Sequence, residues 1–356
     1  MFYTSFGALV REAPGWAWRA LFDRRTVTFL RHREALGDTL YVSAVARALK
    51  KACPALRVAV VTRRPEIFVN NPHVDEVRGW HLMRTGMTVR GSYRIKDLVT
   101  VEHVVEIQWR RLWEELKAYG VDSPAGAKLP PLDGYQPELF LTATERAEAV
   151  ARLAPLRANG KPVVLLSTTG KLKPTHNREW GQQNYERLAE ALALHVNLAQ
   201  AGGEEPLLLK GAPLPQHVGL PVRQAAALFA AGDCVLAQEG GLMHLATAVN
   251  APTAAIFGGT ILPAQSGYEQ NENFWSRPEC SPCLGHGQNC AHLKCMVPLS
   301  PRKVAAGIAA LLLKHRNFTL PQESLDAAPD TWEPPAFVDR AALKKELEKP
   351  TLQIAT

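Results

Sequence analysis

Gln238-Glu239-Gly240-Gly241-Leu242-Met243-His244 gathers a carboxylate, two glycines and an imidazole where a buried apolar run gives way to a helical pattern. Paired glycines leave backbone N–H groups open to an anion, and a helix N-terminus adds a positive dipole end suited to a diphosphate. His244 stands about one helical turn inside, in reach of the same phosphate, and Glu239 can accept from ribose hydroxyls. The plainer alternative is a tight turn with a cap and a packed histidine. Gly37-Asp38 occupies a similar strand-to-helix junction, where Asp38 either caps the helix or takes a proton from a substrate hydroxyl. Ser167-Thr168-Thr169-Gly170 and Asn177-Arg178-Glu179-Trp180 offer hydroxyls and a guanidinium, good partners for phosphate oxygens, in loops where Ser and Thr are also routine.

A second kind of chemistry is written in Cys280, Cys283, Cys290 and Cys295, spaced C-x2-C-x6-C-x4-C with His286 and His292 between them. Four soft ligands so close together can close a tetrahedral zinc or iron site, which would be structural because a fully thiolate-ligated ion has no open position. Free thiols in a loop, or cysteines paired only on oxidation, are the competing readings. Near the start, Trp16, Trp18, Leu21 and Phe22 interleave with Arg19, Arg24 and Arg25. Such a stretch suits either an interfacial helix on anionic lipid or a helix packing its aromatics on its own domain. Arg84, Arg90, Arg94 and Lys96 form either an acceptor-side basic patch or a solvated loop.

The elements that position these residues alternate between strands and helices. Thr26–Leu30 reads as a strand, Leu40–Leu49 has helical spacing, and Leu56–Val61 is a second buried strand, together the unit of a doubly wound parallel sheet. A further strand is expected over Val101–Ile107. The Pro- and Gly-rich stretch 123–135 fits a linker or surface excursion. The alternation then restarts with a strand at Val163–Ser167, a helix at Tyr185–Leu194 and short strands near Val196–Ala199 and Leu207–Leu209. A helix at Val222–Ala231, a strand at Cys234–Gln238, a helix at Gly241–Val249 and a closing strand at Thr253–Phe257 follow. Val304–His315 is a last amphipathic helix, and the acidic, Pro-rich tail is either disordered or a strap across the domains. Ligands of parallel sheets bind beyond the carboxyl ends of the strands, so two facing layers make a cleft.

The 356 residues suit two domains, or three, and no apolar run is long enough to span a membrane. Neither a secretory signal nor a disulfide framework is legible, so a cytoplasmic protein is expected. Net charge is +7, and residues 1–130 carry 21 Lys and Arg against 13 Asp and Glu, so the front half should face an anionic partner.

Together these stretches resemble glycosyltransferase family 9, the bacterial heptosyltransferases of lipopolysaccharide synthesis. LGDTLYVSAVARALKKACPALRVAVVT and NNPHVDEV resemble the family's opening motif, and EGGLMHLATAVNAPTAAIFGGT its nucleotide-binding signature. The Cys-Ser-Pro-Cys to Cys-Met stretch resembles its cysteine-bearing loop. The resemblance implies an α/β GT-B fold: two Rossmann-like parallel-sheet domains facing a central cleft. The expected layout is an amphipathic extension (1–25), an acceptor-side domain (26–145), a nucleotide-sugar domain with its cysteine-rich loop at 280–295 (146–318), and a tail (319–356). It implies inverting transfer from ADP-heptose to a hydroxyl of a lipopolysaccharide-core-type acceptor, with no catalytic metal or other cofactor. Asp38 matches the family's general base. Thr168, Thr169 and Arg178 match phosphate-binding positions, and Glu239, Gly240, Gly241 and His244 fall on its Asp-Ser/Thr-Gly-x-x-His pattern. Glu239 and Gly240 depart from that pattern, Arg178 replaces its usual Lys, and GGTILPAQSGYEQNENFW is longer than expected. The implied partners are a nucleotide-sugar donor and an anionic glycolipid acceptor, with peripheral contact at the cytoplasmic face of the inner membrane. Another nucleotide-sugar donor or a protein acceptor is the alternative within enzymes. A non-catalytic nucleic-acid-binding protein with a zinc-knuckle-like cluster is a distant one, since it explains neither the paired α/β layers nor the strand-terminal glycines.

Overall fold

The computed structural model describes residues 25–31, 35–79, 86–90, 98, 100–126, 128–168, 176–203, 208–211, 214–283, 290, 292–335 and 344. The N-terminal aromatic and basic stretch before Arg25, together with Arg84, Arg94, Lys96, Thr169, His286 and the helix expected near Arg340–Leu347 (Lys344 apart), lies outside those residues.

The first layer holds β1 (Thr26–Arg31), α1 (Leu36–Ala52), β2 (Arg57–Thr62), β3 (Glu76–Gly79) and β4 (Met87–Val89). Its sheet runs β3-β2-β1-β4, and every pairing is parallel. Strands buried on both faces need continuous apolar runs, which Val58–Val61 supplies. In α1, Tyr41, Val45 and Leu49 recur every fourth residue on buried ground, while Lys50 and Lys51 meet the negative end of the helix dipole.

The strand expected over Val101–Ile107 is instead the start of a helix, α2 (Val104–Lys117). A run of seven residues with this composition suits strand and helix alike. Extended to Leu116, the apolar positions Val105, Trp109, Leu112, Trp113 and Leu116 follow a 3.6-residue period. His103 caps this helix, its Nδ1 accepting the Val105 N–H at 3.2 Å.

The second layer opens with α3 (Ala143–Arg157), whose Thr142 and Glu145 form a reciprocal capping box. It continues through β5 (Val163–Ser167), α4 (Gln182–Leu192), β6 (Asn197–Ala201), β7 (Gln216–His217), α5 (Val222–Ala231), β8 (Cys234–Gln238), α6 (Gly241–Ala248) and β9 (Thr253–Ile256). The short α7 (Pro263–Ser266), β10 (Glu272–Phe274), α8 (Pro301–Arg316) and α9 (Gln322–Ala327) complete it. The sheet order is β10-β9-β8-β5-β6-β7, again wholly parallel. Two expectations therefore change. Leu208 and Leu209 are irregular and Gln216–His217 takes the edge position, while Thr253–Ile256 is not the last strand because Glu272–Phe274 pairs outside it.

Alternate strand residues serve two cores. Val163, Leu165, Val235 and Ala237 face α5 and α6, and this core runs on without a break into α1 and β1. Val164, Leu166, Leu236 and Ile256 face α4 and α8. With each fully buried Leu or Val contributing about 1.5–3 kcal/mol, both faces of the sheet are heavily stabilised. The side of α6 turned from its own sheet packs on α1 and joins the layers, and Arg223 on α5 adds a hydrogen bond to the Glu66 carbonyl. The linker 136–141 runs along the same seam: Gln136 Nε2 donates to the Thr247 carbonyl and the Leu139 N–H to the Ala248 carbonyl.

The described part of the tail, to residue 335, packs as a strap on the second layer. Trp332 is buried and its indole N–H donates to the Trp180 carbonyl, while Asn184 Nδ2 donates to the Glu333 carbonyl and Asn184 Oδ1 accepts the Glu333 N–H.

Each sheet has one point where its strand order reverses, β1/β4 in the first and β5/β8 in the second. Crevices beyond such points are where parallel sheets take ligands.

Candidate functional site

Gln238 ends β8, and the chain turns through Glu239 and Gly240 into α6. Gly240 has φ +147° and ψ −166°, a conformation that side-chain-bearing residues avoid, so glycine is needed to turn the strand into the helix. Gln238 Oε1 accepts the Trp180 N–H at 2.8 Å, which ties the 176–180 loop to the strand end. That loop sits directly on Gly258 and Gly259 after β9: the Gly259 N–H donates to the Asn177 carbonyl at 3.0 Å. Contact is so close that a Cβ on Gly258 would lie 1.7 Å from the Asn177 carbonyl oxygen. Arg178, the next residue, is thereby brought over the β8 end, with its Nε 3.3 Å from Glu239 Oε2.

Polar atoms left over at this edge identify what it lacks. Glu239 Oε2, Arg178 Nε and Ser167 Oγ are buried and make no hydrogen bond, because the Arg178–Glu239 contact is not aligned for one. An orphaned buried polar group costs about 1–3 kcal/mol, more when charged. Arg178 Nε and Glu239 Oε2 offset each other only as an ion pair at 3.3 Å, and Ser167 Oγ has no partner, so hydrogen-bonding capacity for a polar ligand is concentrated at this strand crossover. Ser266 Oγ, on α7, reaches Glu239 Oε1 at 3.4 Å. Thr168 is buried beside Ser167, and its Oγ1 accepts from Gln200 Nε2 at 2.9 Å. Gly202, at the end of β6, lies alongside, so that a Cβ there would be 3.7 Å from Ser167 Oγ. Ser167 and Gln238 fall within stretches the sequence marks, whereas Gly202, Gln200 and Ser266 carry no sequence signal of a site. Glycines and short polar residues after strands are too common for any signal beyond their place in the alternation.

His244 departs from its expected setting. Its Nε2 and Nδ1 lie 3.0 Å from the Tyr41 hydroxyl and 2.8 Å from the Tyr268 hydroxyl, so both ring nitrogens are occupied. Burial, with the Arg178 charge adding to it, holds its pKa down to about 3. The ring is therefore neutral here and offers no cationic contact to a phosphate, because two tyrosines distant in sequence claim its nitrogens. His103 is likewise held down to about 3 by burial. Since its Nδ1 accepts from Val105, its Nε2 carries the proton and donates to the Gly267 carbonyl at 3.1 Å.

The two motifs expected to face each other do meet. A Cβ on Gly37 would lie 2.6 Å from His244 Cδ2, and one on Gly241 would lie 2.9 Å from Leu36 Cβ. Asp38 stands in this same first turn of α1, half-buried. Ala35 takes the cap position and Asp38 is the acidic residue of the first turn, where a carboxylate also meets the positive end of the helix dipole. The α7 segment bridges the layers as well, Gln265 Nε2 donating to the carbonyls of Leu98 (2.6 Å) and Thr100 (3.2 Å).

The cysteines gather behind the site. Cys283 and Cys295 Sγ would each lie 3.2 Å from a Cβ on Gly259, and the Asn177 side chain hydrogen-bonds to Cys283. Burial pushes the Cys295 thiol up to about 12. Among the described residues, no three Cys, His, Asp or Glu side chains are grouped to hold a metal ion. The four thiols share one neighbourhood around Gly259, close enough that Cys280, Cys283 and Cys290 all act electrostatically on Cys295. A separate groove of about 640 Å³ on α4 is lined by Glu186, Glu190 and Glu333 together with Arg187, a net acidic lining. No described helix is long and apolar enough to cross a membrane.

Comparison with known proteins agrees with the resemblance seen in the sequence. Residues 219–294, which hold β8, the glycine turn, α6 and the first three clustered cysteines, match the model of glycosyltransferase family 9 (heptosyltransferase). The fold is similar to that of Escherichia coli ADP-heptose LPS heptosyltransferase II, with a TM-score of 0.58 at 16% identity over 82% of this chain and 99% of that one. A glycosyltransferase family 9 protein from Veillonella parvula DSM 2008 gives 0.58 at 16% identity, over 81% of this chain and 97% of that one. No curated protein matches the chain. The architecture is the α/β GT-B fold, and the likeness to family 9 supports glycosyl transfer.

Proposed function

We propose that the protein is an inverting glycosyltransferase that moves a heptose or related sugar from an ADP-sugar to a hydroxyl of an anionic glycolipid acceptor of the lipopolysaccharide-core type. The observation that carries this reading is the cluster at the β5/β8 crossover of Ser167 Oγ, which makes no hydrogen bond, and the Arg178–Glu239 ion pair, whose Nε and Oε2 make none either. Their chemistry suits a nucleoside diphosphate: the guanidinium and hydroxyl for phosphate oxygens, the carboxylate for ribose hydroxyls.

In this mechanism Asp38 accepts the proton of the acceptor hydroxyl as its oxygen attacks the anomeric carbon from the face opposite the diphosphate. The C–O bond to the leaving group breaks with its electron pair passing to the departing ADP. Arg178, the Gly240–Gly241 backbone amides and the Thr168 edge stabilise the charge developing there, while Thr169 is carried over as a further hydroxyl contact. His244 acts here as a neutral packing and hydrogen-bonding residue. No cofactor takes part, and the cysteine segment serves as a brace behind Gly259 and Asn177. Elemental analysis returning stoichiometric zinc or iron would show that brace to be closed by metal. The protein works at the cytoplasmic face of the inner membrane, where the basic first 130 residues meet the acidic acceptor.

A thermal-shift screen of ADP-, UDP- and GDP-sugars tests the donor, since a ligand selective for the native state raises the melting temperature. ADP-heptose is expected to stabilise most. Asp38→Asn should then lower turnover at least about a hundredfold, within the range for loss of a general base, with donor binding nearly intact. A variant turning over near the normal rate removes Asp38 from the mechanism.

A further inference from the structure

Tyr41 and Asp38 lie one turn apart on α1, and Tyr41 reaches out of its own layer. Its hydroxyl lies 3.0 Å from His244 Nε2 on α6, whose Nδ1 is 2.8 Å from the Tyr268 hydroxyl. All three side chains are buried, at 2%, 3% and 4% exposure. A neutral imidazole has one donor and one acceptor nitrogen, so it must donate to one tyrosine oxygen and accept from the other hydroxyl. The chain is therefore directional and well satisfied, the kind of buried network that fixes one arrangement of its parts. His103 stacks on Tyr135 at 4.2 Å and presents an edge to Tyr41 at 6.3 Å, closing the space around it. Apolar packing between α1 and α6 alone would tolerate sliding. A hydrogen bond with an angular requirement fixes the rotation of α1 about its axis, and that rotation sets where Asp38 stands.

We infer that Tyr41, acting through His244 and Tyr268, is a positioning residue that latches the acceptor-side helix α1 to the donor-side helix α6 and so holds Asp38 over the donor pocket. What the latch positions rests on the transfer reading above; the latch itself does not. Tyr41→Phe keeps the ring and removes one link, leaving His244 Nε2 without its tyrosine hydroxyl, and Tyr268→Phe does the same at Nδ1.

Two measurements on the full-length chain test this. In steady-state transfer from ADP-heptose, Tyr41→Phe should lower kcat at least tenfold, with the donor KM and the calorimetric Kd for ADP within twofold of wild type. A merely structural defect would instead weaken ADP binding along with turnover. In hydrogen exchange, amides of 36–42 and 241–246 should exchange faster in both variants, at least fivefold, while those of β5 and β8 stay unchanged. A kcat within twofold of wild type, an ADP affinity that falls in step with kcat, or unchanged exchange in α1 and α6 overturns the proposal. If the wild-type protein transfers no sugar from any donor, the transfer reading fails, and the exchange result alone decides whether the latch exists.

Discussion

Gly258→Ala puts the geometry of the site under direct test. A methyl there would stand 1.7 Å from the Asn177 carbonyl oxygen, 2.7 Å from its carbon and 2.9 Å from Met296 Cε. Carbon needs about 3.5 Å from its neighbours, so the carbonyl must retreat by roughly 1.5 Å or more. Because Arg178 is bonded to Asn177, it must move too, and the 3.0 Å hydrogen bond from Gly259 to Asn177 is lost. Leaving that buried pair unmade costs about 1–3 kcal/mol of stability. A 1 Å misplacement of a binding group can cost on the order of a hundredfold in rate. ADP affinity should fall at least tenfold, or about 1.4 kcal/mol, measured by titration calorimetry with thermal denaturation alongside. Gly160→Ala is the control, since Gly160 has φ +75° and open space around it. It should lose about 1 kcal/mol of stability from backbone strain and none of its ADP affinity. A folded Gly258→Ala protein that binds ADP within twofold of wild type would refute the claim that this contact places Arg178.

Two other outcomes follow from the structure. Arg178→Ala should weaken ADP binding about tenfold or more, in line with about 1.5–3 kcal/mol for a hydrogen bond to a charged group; unchanged calorimetric affinity would contradict its phosphate role. Acid should destabilise the fold through His103 and His244, whose native pKa values of about 3 lie below the ordinary 6.5. Below pH 6.5 the unfolded chain takes up protons that the folded one refuses, so stability is whole above 6.5 and declines as pH falls towards 3. Each histidine contributes about 1.4 kcal/mol per pH unit well inside that window. His217, held down by partial burial and by Arg152, adds in the same direction. Glu145, held down to about 2 mainly by Arg223, adds its loss only below about 4.5. Urea denaturation at pH 7.5 and 5.5 checks this: stability equal at both pH values would show that the histidines are not buried neutral, and His103→Gln should flatten the decline.

The sequence by itself determined the alternation of strands and helices, the two parallel layers, and the places where Asp38, Thr168 and Glu239–His244 fall at strand ends. These follow from local periodicity and from the rule that such sheets bind at their carboxyl edges, so 26–62 and 163–256 were legible almost throughout. Residues 101–107 were not, because a short apolar run suits strand and helix alike until the heptad beyond it is counted. Only tertiary structure decided the rest. Tyr41 and Tyr268 stand 227 positions apart in the chain and meet on one imidazole, and Gly258 seats Asn177 from another strand. The sequence order carries no information about which side chains long-range packing will bring within 3 Å of each other. His244, which the sequence leaves as either a phosphate partner or a packed histidine, is held to a pKa of about 3 by burial, between two hydroxyls that only the fold supplies.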